Sequence, residues 1–184
     1  MADRPRRCAA DPRGTPLGRL NLQPSELVVL TVARHYFGSF AEPHRHGWLG
    51  AVTAALKFYG DDTGPHAAFA VLSAVQAMRR ARVSAFRFNS ADCSDCAAHI
   101  SDNERQFLNT CRAMAQGRID AAEGHALILC EGNDVQPFLS AAAILIEVCQ
   151  LRPGADHPTP PVTARRSKAR PRVRVVDVPP HAGL

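Results

Sequence analysis

Two thiols and an imidazole fall within seven residues at Asp92-Cys93-Ser94-Asp95-Cys96-Ala97-Ala98-His99, the stretch of this chain richest in metal-ligating side chains. The two-residue gap of Cys93-x-x-Cys96 lets one turn aim both sulfurs at a single point. A tetrahedral zinc ion needs that arrangement, with Zn–S distances of about 2.3 Å. One CxxC is half a ligand set, so the other half must come from elsewhere. His99, Cys111, His125 and Cys130 are the candidates. His125 and Cys130 are five positions apart, about 140° around an ideal helix. They reach one ion only if the helix end loosens at Gly132 or if each meets the loop separately. The expected set is therefore Cys93, Cys96, His125 and Cys130, with His99 in reserve, holding a structural zinc.

Two other chemistries use the same sulfurs. An iron–sulfur cluster on Cys93, Cys96, Cys111 and Cys130 would take Cys111 off an apolar helix face, and its spacing matches no common ferredoxin pattern. A thiol–disulfide pair at Cys93 and Cys96 needs no further ligand. A thioredoxin-like enzyme places CxxC in a βαβ unit, which this chain does not display, and Asp92 and Asp95 raise rather than lower a thiol pKa. His35, His44 and His46 read as surface histidines, while Trp48, Tyr36 and Tyr59 read as core. Glu123 and His125 lie two apart on a helix and do not face each other. The chain carries no P-loop, dinucleotide fingerprint, HExxH or nucleophile elbow. These features point to a non-catalytic regulatory or accessory protein acting through protein contacts. The alternative is a thiol- or Fe–S-based redox sensor.

Helices must position these groups. Pro24 suits a first helical turn, with Glu26 near the positive end of the dipole. Leu30, Ala33, Phe37 and Phe40 form one apolar face as far as Pro43. A second helix is expected from Pro43 to Tyr59 on the stripe Trp48, Val52, Ala55, Tyr59. Gly60-Asp61-Asp62-Thr63-Gly64-Pro65 reads as a turn, with Thr63 capping a third helix. That helix shows Ala67, Ala70, Val71, Ala74, Val75 and Met78 at helical spacing and ends in Arg79, Arg80 and Arg82. The turn before it is too long and too acidic for a DNA-reading helix-turn-helix.

Val83 to Ser90, with Phe86 and Phe88 alternating with Arg87 and Asn89, reads as an extended lead into the cysteines. Ser101-x-x-Glu104 is a capping box for a fourth helix, in which Phe107, Leu108, Cys111, Met114 and Ala115 face inward and Gly117 ends the element. A fifth helix, Asp120 to Glu131, is apolar nearly all round between Ala126 and Cys130 and is expected to be central. A sixth runs from Val135 to Gln150. The reading is all-α: a compact bundle of about six helices with a CxxC-containing loop.

Charge divides the chain into three. Residues 1–22 hold five Arg against two Asp, and residues 152–184 hold six Arg and one Lys against two Asp. The total of +5 therefore leaves the middle mildly acidic, which argues against a basic nucleic-acid-reading face on the domain itself. The expected organisation is a flexible basic arm over 1–22, a helical domain over 23–151, and a disordered Pro/Arg-rich tail over 152–184. Six positive charges between Arg165 and Arg174 give the tail a route to nucleic acid by counterion release. No apolar leader and no membrane-spanning run is expected. The compartment reads as cytoplasmic, where cysteines serve as thiols or ligands rather than as a disulfide framework. The Arg/Ala/Pro-rich, Lys-poor composition reads as bacterial. Neither the partner protein nor the oligomeric state is legible.

Overall fold

A computed structural model of the chain describes residues 14–152. The first part of the expected arm and the tail beyond Arg152, with its basic run over 165–174, lie outside the described residues. The architecture is all-α. Helix α1 spans Pro24–Ala41, α2 Gly47–Ala81, α3 Ser94–Ala97, α4 Asp102–Ala115, α5 Ile119–Leu129 and α6 Gln136–Val148. Two short strands, β1 (Thr15–Pro16) and β2 (His99–Ile100), pair antiparallel. Among the described residues no helix is long and apolar enough to cross a membrane.

The expected second and third helices are the two limbs of α2, interrupted at a single residue. Gly60 sits at φ 78°, ψ 177°, a region that side-chain-bearing residues avoid. The six-residue turn expected there is thus a one-residue break. Pro65 lies one turn further on, where it forfeits the backbone bond to Asp61, an exposed residue whose carbonyl water can reach. Gly64 is buried where the limbs touch, since a Cβ there would lie 2.8 Å from the Leu56 Cα. The first limb also starts later than expected. Pro43–Arg45 forms a 3-10 turn, and His46 adopts a left-handed conformation before α2 begins.

The core gathers one face of α1 (Val29, Leu30, Ala33, Phe37), the second limb of α2 (Ala67, Val71, Ala74, Val75, Met78), and Phe107 and Phe138 of α4 and α6. Phe107 packs against Phe138 at 5.6 Å between ring centroids and meets Phe37 edge-on at 6.3 Å. Phe37 also contacts Phe86 at 4.2 Å and Phe88 at 5.7 Å. The alternating aromatics of the irregular 83–90 segment therefore anchor it to the core.

Three expectations are corrected. Residues 14–22 do not behave as an arm: Thr15 pairs with Ile100, Pro16 with His99, the Leu17 N–H donates to the Ala98 carbonyl, and Leu17, Leu20 and Leu22 pack on the core. The leucines, spaced irregularly, bury themselves through a strand pair and a 3-10 turn rather than a helical stripe. Helix α5 is not central, because Leu127 is 41% and Ile128 64% exposed while Ala122, Ala126 and Leu129 are buried. Trp48 is not core either, at 50% exposure. It shares the helical face of the buried Ala51 and Ala55 but stands in the first turn of α2, at the end of the helix.

Candidate functional site: the cysteine loop and its buried polar staple

The loop that carries Cys93 and Cys96 is held by an ion pair in the protein interior. Arg34 stands on the buried face of α1 and is 3% exposed; Glu104, in the first turn of α4, is 0% exposed. Arg34 Nε donates to Glu104 Oε1 at 2.7 Å and Nη2 to Oε2 at 3.2 Å. An ion pair so deeply buried is stabilising only when its remaining donors and acceptors are well matched, and here both carboxylate oxygens and four of the five guanidinium N–H groups are engaged within the pair or by the loop. Arg34 Nη1 donates to the Ala97 carbonyl at 3.1 Å and Nη2 to the His99 carbonyl. Glu104 accepts the backbone N–H of Asn89 at 3.0 Å and of Ser101 at 2.8 Å. Asn89 Nδ2 adds a 2.8 Å bond to the His99 carbonyl, and Ser101 Oγ donates to the Arg87 carbonyl at 2.7 Å.

The capping box expected at Ser101 is present, with Ser101 Oγ accepting the Glu104 N–H at 3.2 Å. Its glutamate does two jobs, capping α4 and closing the staple. Sequence reasoning missed the second job. The available signal was Arg34 itself, a charged residue adjacent to Ala33 and one turn after Leu30 on an apolar face, which requires a buried partner.

Within this frame Cys93 is the N-cap of α3, half-buried and extended at φ −111°, ψ 117°. Cys96 lies inside the same turn and is 2% exposed. The Ala97 N–H donates to the Cys93 carbonyl at 2.7 Å, closing one helical turn around the pair. Residues three apart on such a turn have Cα atoms about 5 Å apart, within the span a disulfide requires. His99 Nδ1 lies 2.9 Å from the Asp95 carbonyl, across the same turn.

Cys96 also lines a cleft of about 270 Å³ between the end of α1 and the loop, together with His35, Gly38, Glu42, Arg45 and Asp92. The His35 ring packs against Gly50, where a Cβ would come within 2.6 Å of Nδ1. The glycine at that position lets α2 pass close to α1 and leaves the imidazole on the cleft wall. His35 is half-buried, not a surface histidine.

The remaining expected ligands lie in other environments. His125, on α5, bonds through Nδ1 to Gln106 Oε1 of α4 at 2.7 Å, and its pKa is lowered by burial and by Arg118. Cys130 is buried at the C-terminal end of α5, with its thiol pushed up by burial. Cys111 is a core thiol, raised to about 12 by burial, by Cys149 and by Glu26. Cys111, Cys130 and Cys149 are free thiols. Among the described residues no three or more His, Cys, Asp or Glu side chains are grouped so as to hold a metal ion. Cys93, Cys96, His125 and Cys130 are therefore not gathered into one ligand set, and His99 does not complete one. Nor does the four-cysteine set with Cys111 form. The CxxC turn stays with α3, while the other two ligands belong to the α4–α5 contact and the far end of α5.

A second clamp fixes the start of the loop. Glu131 accepts the Val83 N–H at 2.8 Å and the Ser84 N–H at 3.1 Å, takes a short hydrogen bond from Ser84 Oγ, and pairs with Arg82 Nη2 at 2.9 Å. These donors, Ser84 Oγ foremost, hold its carboxyl down to about 2. Comparison of the chain with protein-family models, curated proteins and solved structures returns no match.

Proposed function

We propose that this is a non-catalytic regulatory or accessory domain whose CxxC turn is a thiol–disulfide switch. The observation that carries the reading is the split within the turn: Cys93 half-buried at the N-cap and Cys96 buried three residues on, both on a loop pinned by Arg34 and Glu104. The Cys93 thiolate attacks one sulfur of an incoming disulfide, the other sulfur leaves as a thiolate, and a mixed disulfide forms on Cys93. The Cys96 thiolate then attacks the Cys93 sulfur, releasing the second half of the acceptor as thiolate and closing Cys93–Cys96. Two electrons pass from the dithiol to the acceptor, and a reductant of the thiol class reverses the cycle. Such a switch suits a reducing compartment, so the cytoplasm is the proposed location.

The test equilibrates the full chain in mixtures of reduced and oxidised glutathione and maps the disulfides by alkylation and peptide mass. The expected result is a reversible Cys93–Cys96 bridge, with Cys96→Ser trapping glutathione on Cys93 and Cys93→Ser trapping little. Elemental analysis runs beside it. About one zinc per chain, lost in Cys93→Ser, would refute the switch and restore the structural-metal expectation.

A further inference from the structure

We propose that the chain self-associates, the exposed face of the second limb of α2 lying antiparallel on the same face of a second copy. That limb turns Ala70, Val71, Ala74, Val75 and Met78 into its own core. The opposite face carries Phe69, Leu72, Ser73, Gln76, Ala77 and Arg80, at the three- and four-residue spacing of a helix–helix seam. These six line a groove of about 730 Å³ whose other wall includes Val83 and Pro137. Phe69 is 69% and Val83 91% exposed, so apolar side chains project from both walls without cover among the described residues.

The face is complementary to itself when reversed. A two-fold axis between Ala74 and Val75 sets Phe69 opposite the second copy's Arg80, Leu72 opposite its Ala77, and Ser73 opposite its Gln76. Each pair is complementary: a ring under a guanidinium, a large side chain against a small one, and a hydroxyl beside an amide. The small residues Ser73 and Ala77 let the axes approach within the usual 8–10 Å. Phe69 of one copy then enters the groove end formed by Val83 and Pro137 of the other. Contact over residues 69–80 runs for about 17 Å along the helix.

Charge selects the orientation. The limb opens with exposed Asp61 and Asp62 and closes with exposed Arg79 and Arg80. In this register Asp62 lies about 10 Å along the axis from the level of the other copy's Arg80, whereas parallel pairing sets Asp61 and Asp62 level with their own counterparts. A two-fold contact of this kind is isologous, so it closes at a dimer.

The test is sedimentation of the full chain, under reducing conditions, over a micromolar concentration series. A dimer is expected. Phe69→Arg faces Arg80 of the other copy twice by symmetry, and should weaken the dimer roughly a hundredfold, about tenfold per contact. Adding Arg80→Glu to the Phe69→Arg chain should restore it, because each introduced positive charge then faces a negative one. Both sites are exposed, so folding is not at stake. A Leu72→Cys chain mixed with an Ala77→Cys chain should cross-link through positions 72 and 77, identified by peptide mass. A monomer at every concentration, a dimer indifferent to Phe69→Arg, or failure of the paired charge swap to restore association would each overturn the proposal.

Discussion

Removing the buried ion pair as a pair should still destabilise the protein, and this separates a staple from an ordinary buried salt bridge. An ordinary one is often replaceable by apolar residues of similar volume at no cost, or with a gain of about 1–4 kcal/mol, because two desolvated charges disappear. In Arg34→Met/Glu104→Leu that gain is available. It is opposed by the backbone groups the pair was serving. The Asn89 and Ser101 N–H groups lose Glu104, and the Ala97 carbonyl loses Arg34. The His99 carbonyl keeps its bond from Asn89 Nδ2. Three orphaned groups at about 1–3 kcal/mol each exceed the gain, leaving a net loss of about 3 kcal/mol. For a domain of this length that is a fall in Tm of roughly 10 °C.

Glu104→Gln strands the Arg34 guanidinium and should cost about 3–5 kcal/mol. The double variant should therefore recover at most a small part of that loss. Urea and thermal unfolding of the full chain measure both. Amide hydrogen exchange locates the defect, with faster exchange expected at Asn89 and Ser101. If the double variant matches the wild type within about 0.5 kcal/mol, the backbone groups do not depend on the pair and the reasoning fails.

Two further outcomes follow from the same geometry. The Glu131 carboxyl, held down to about 2 by Ser84 and the Val83 and Ser84 N–H groups, stabilises the fold fully above the ordinary carboxylate range. Its folded value lies below its unfolded one, so this stability drains away as pH falls from the mid-fours towards 2. Glu131→Gln should flatten that part of the acid-unfolding curve, and an unchanged curve would dispose of the clamp. Gly60→Ala forces a side chain into the backbone conformation at φ 78°, ψ 177°. It should cost about 1–3 kcal/mol in urea unfolding, and no loss would mean that the α2 break relaxes freely.

Much of the fold was legible because its signals are local. Helix α4 announces itself by the capping box at Ser101 and the stop at Gly117, which adopts φ 70°. The register Ala67 to Met78 identifies the buried face of α2. Phe86 and Phe88 reveal an extended, anchored segment through alternation. What escaped depends on tertiary neighbours. The break at Gly60 and a full loop share one sequence signature, because Gly, Asp and Pro favour both. Leu127 and Ile128 look buried in composition, yet α5 has a neighbour on one side and exposes them on the other. Trp48 is large, apolar and in register with the buried Ala51 and Ala55, but it stands in the first turn of α2 and is half exposed. The site was half legible. The spacing of Cys93 and Cys96 marks a chemical pair, but which other groups approach it is set by how the bundle closes.

The zinc expectation and the Arg34–Glu104 staple answer the same physical problem. An irregular segment between two helices has backbone polar groups that must be satisfied as it is drawn against the core, and it carries no helical ladder to satisfy them. A metal held by loop and helix would fix such a segment. An arginine from α1 and a glutamate from α4 meet this need, binding the carbonyls on the far side of Cys96 and the N–H groups at both ends of the loop. With the loop fastened through its backbone, the proposed switch would carry the turn between dithiol and disulfide with the staple intact. A bridge across a single turn ties residues that the Ala97-to-Cys93 bond already holds together, so its closure changes the surface at Cys93 more than the bundle beneath it. A partner that distinguishes the two states must accordingly read the neighbourhood of Cys93 and the adjoining cleft, not a rearranged fold.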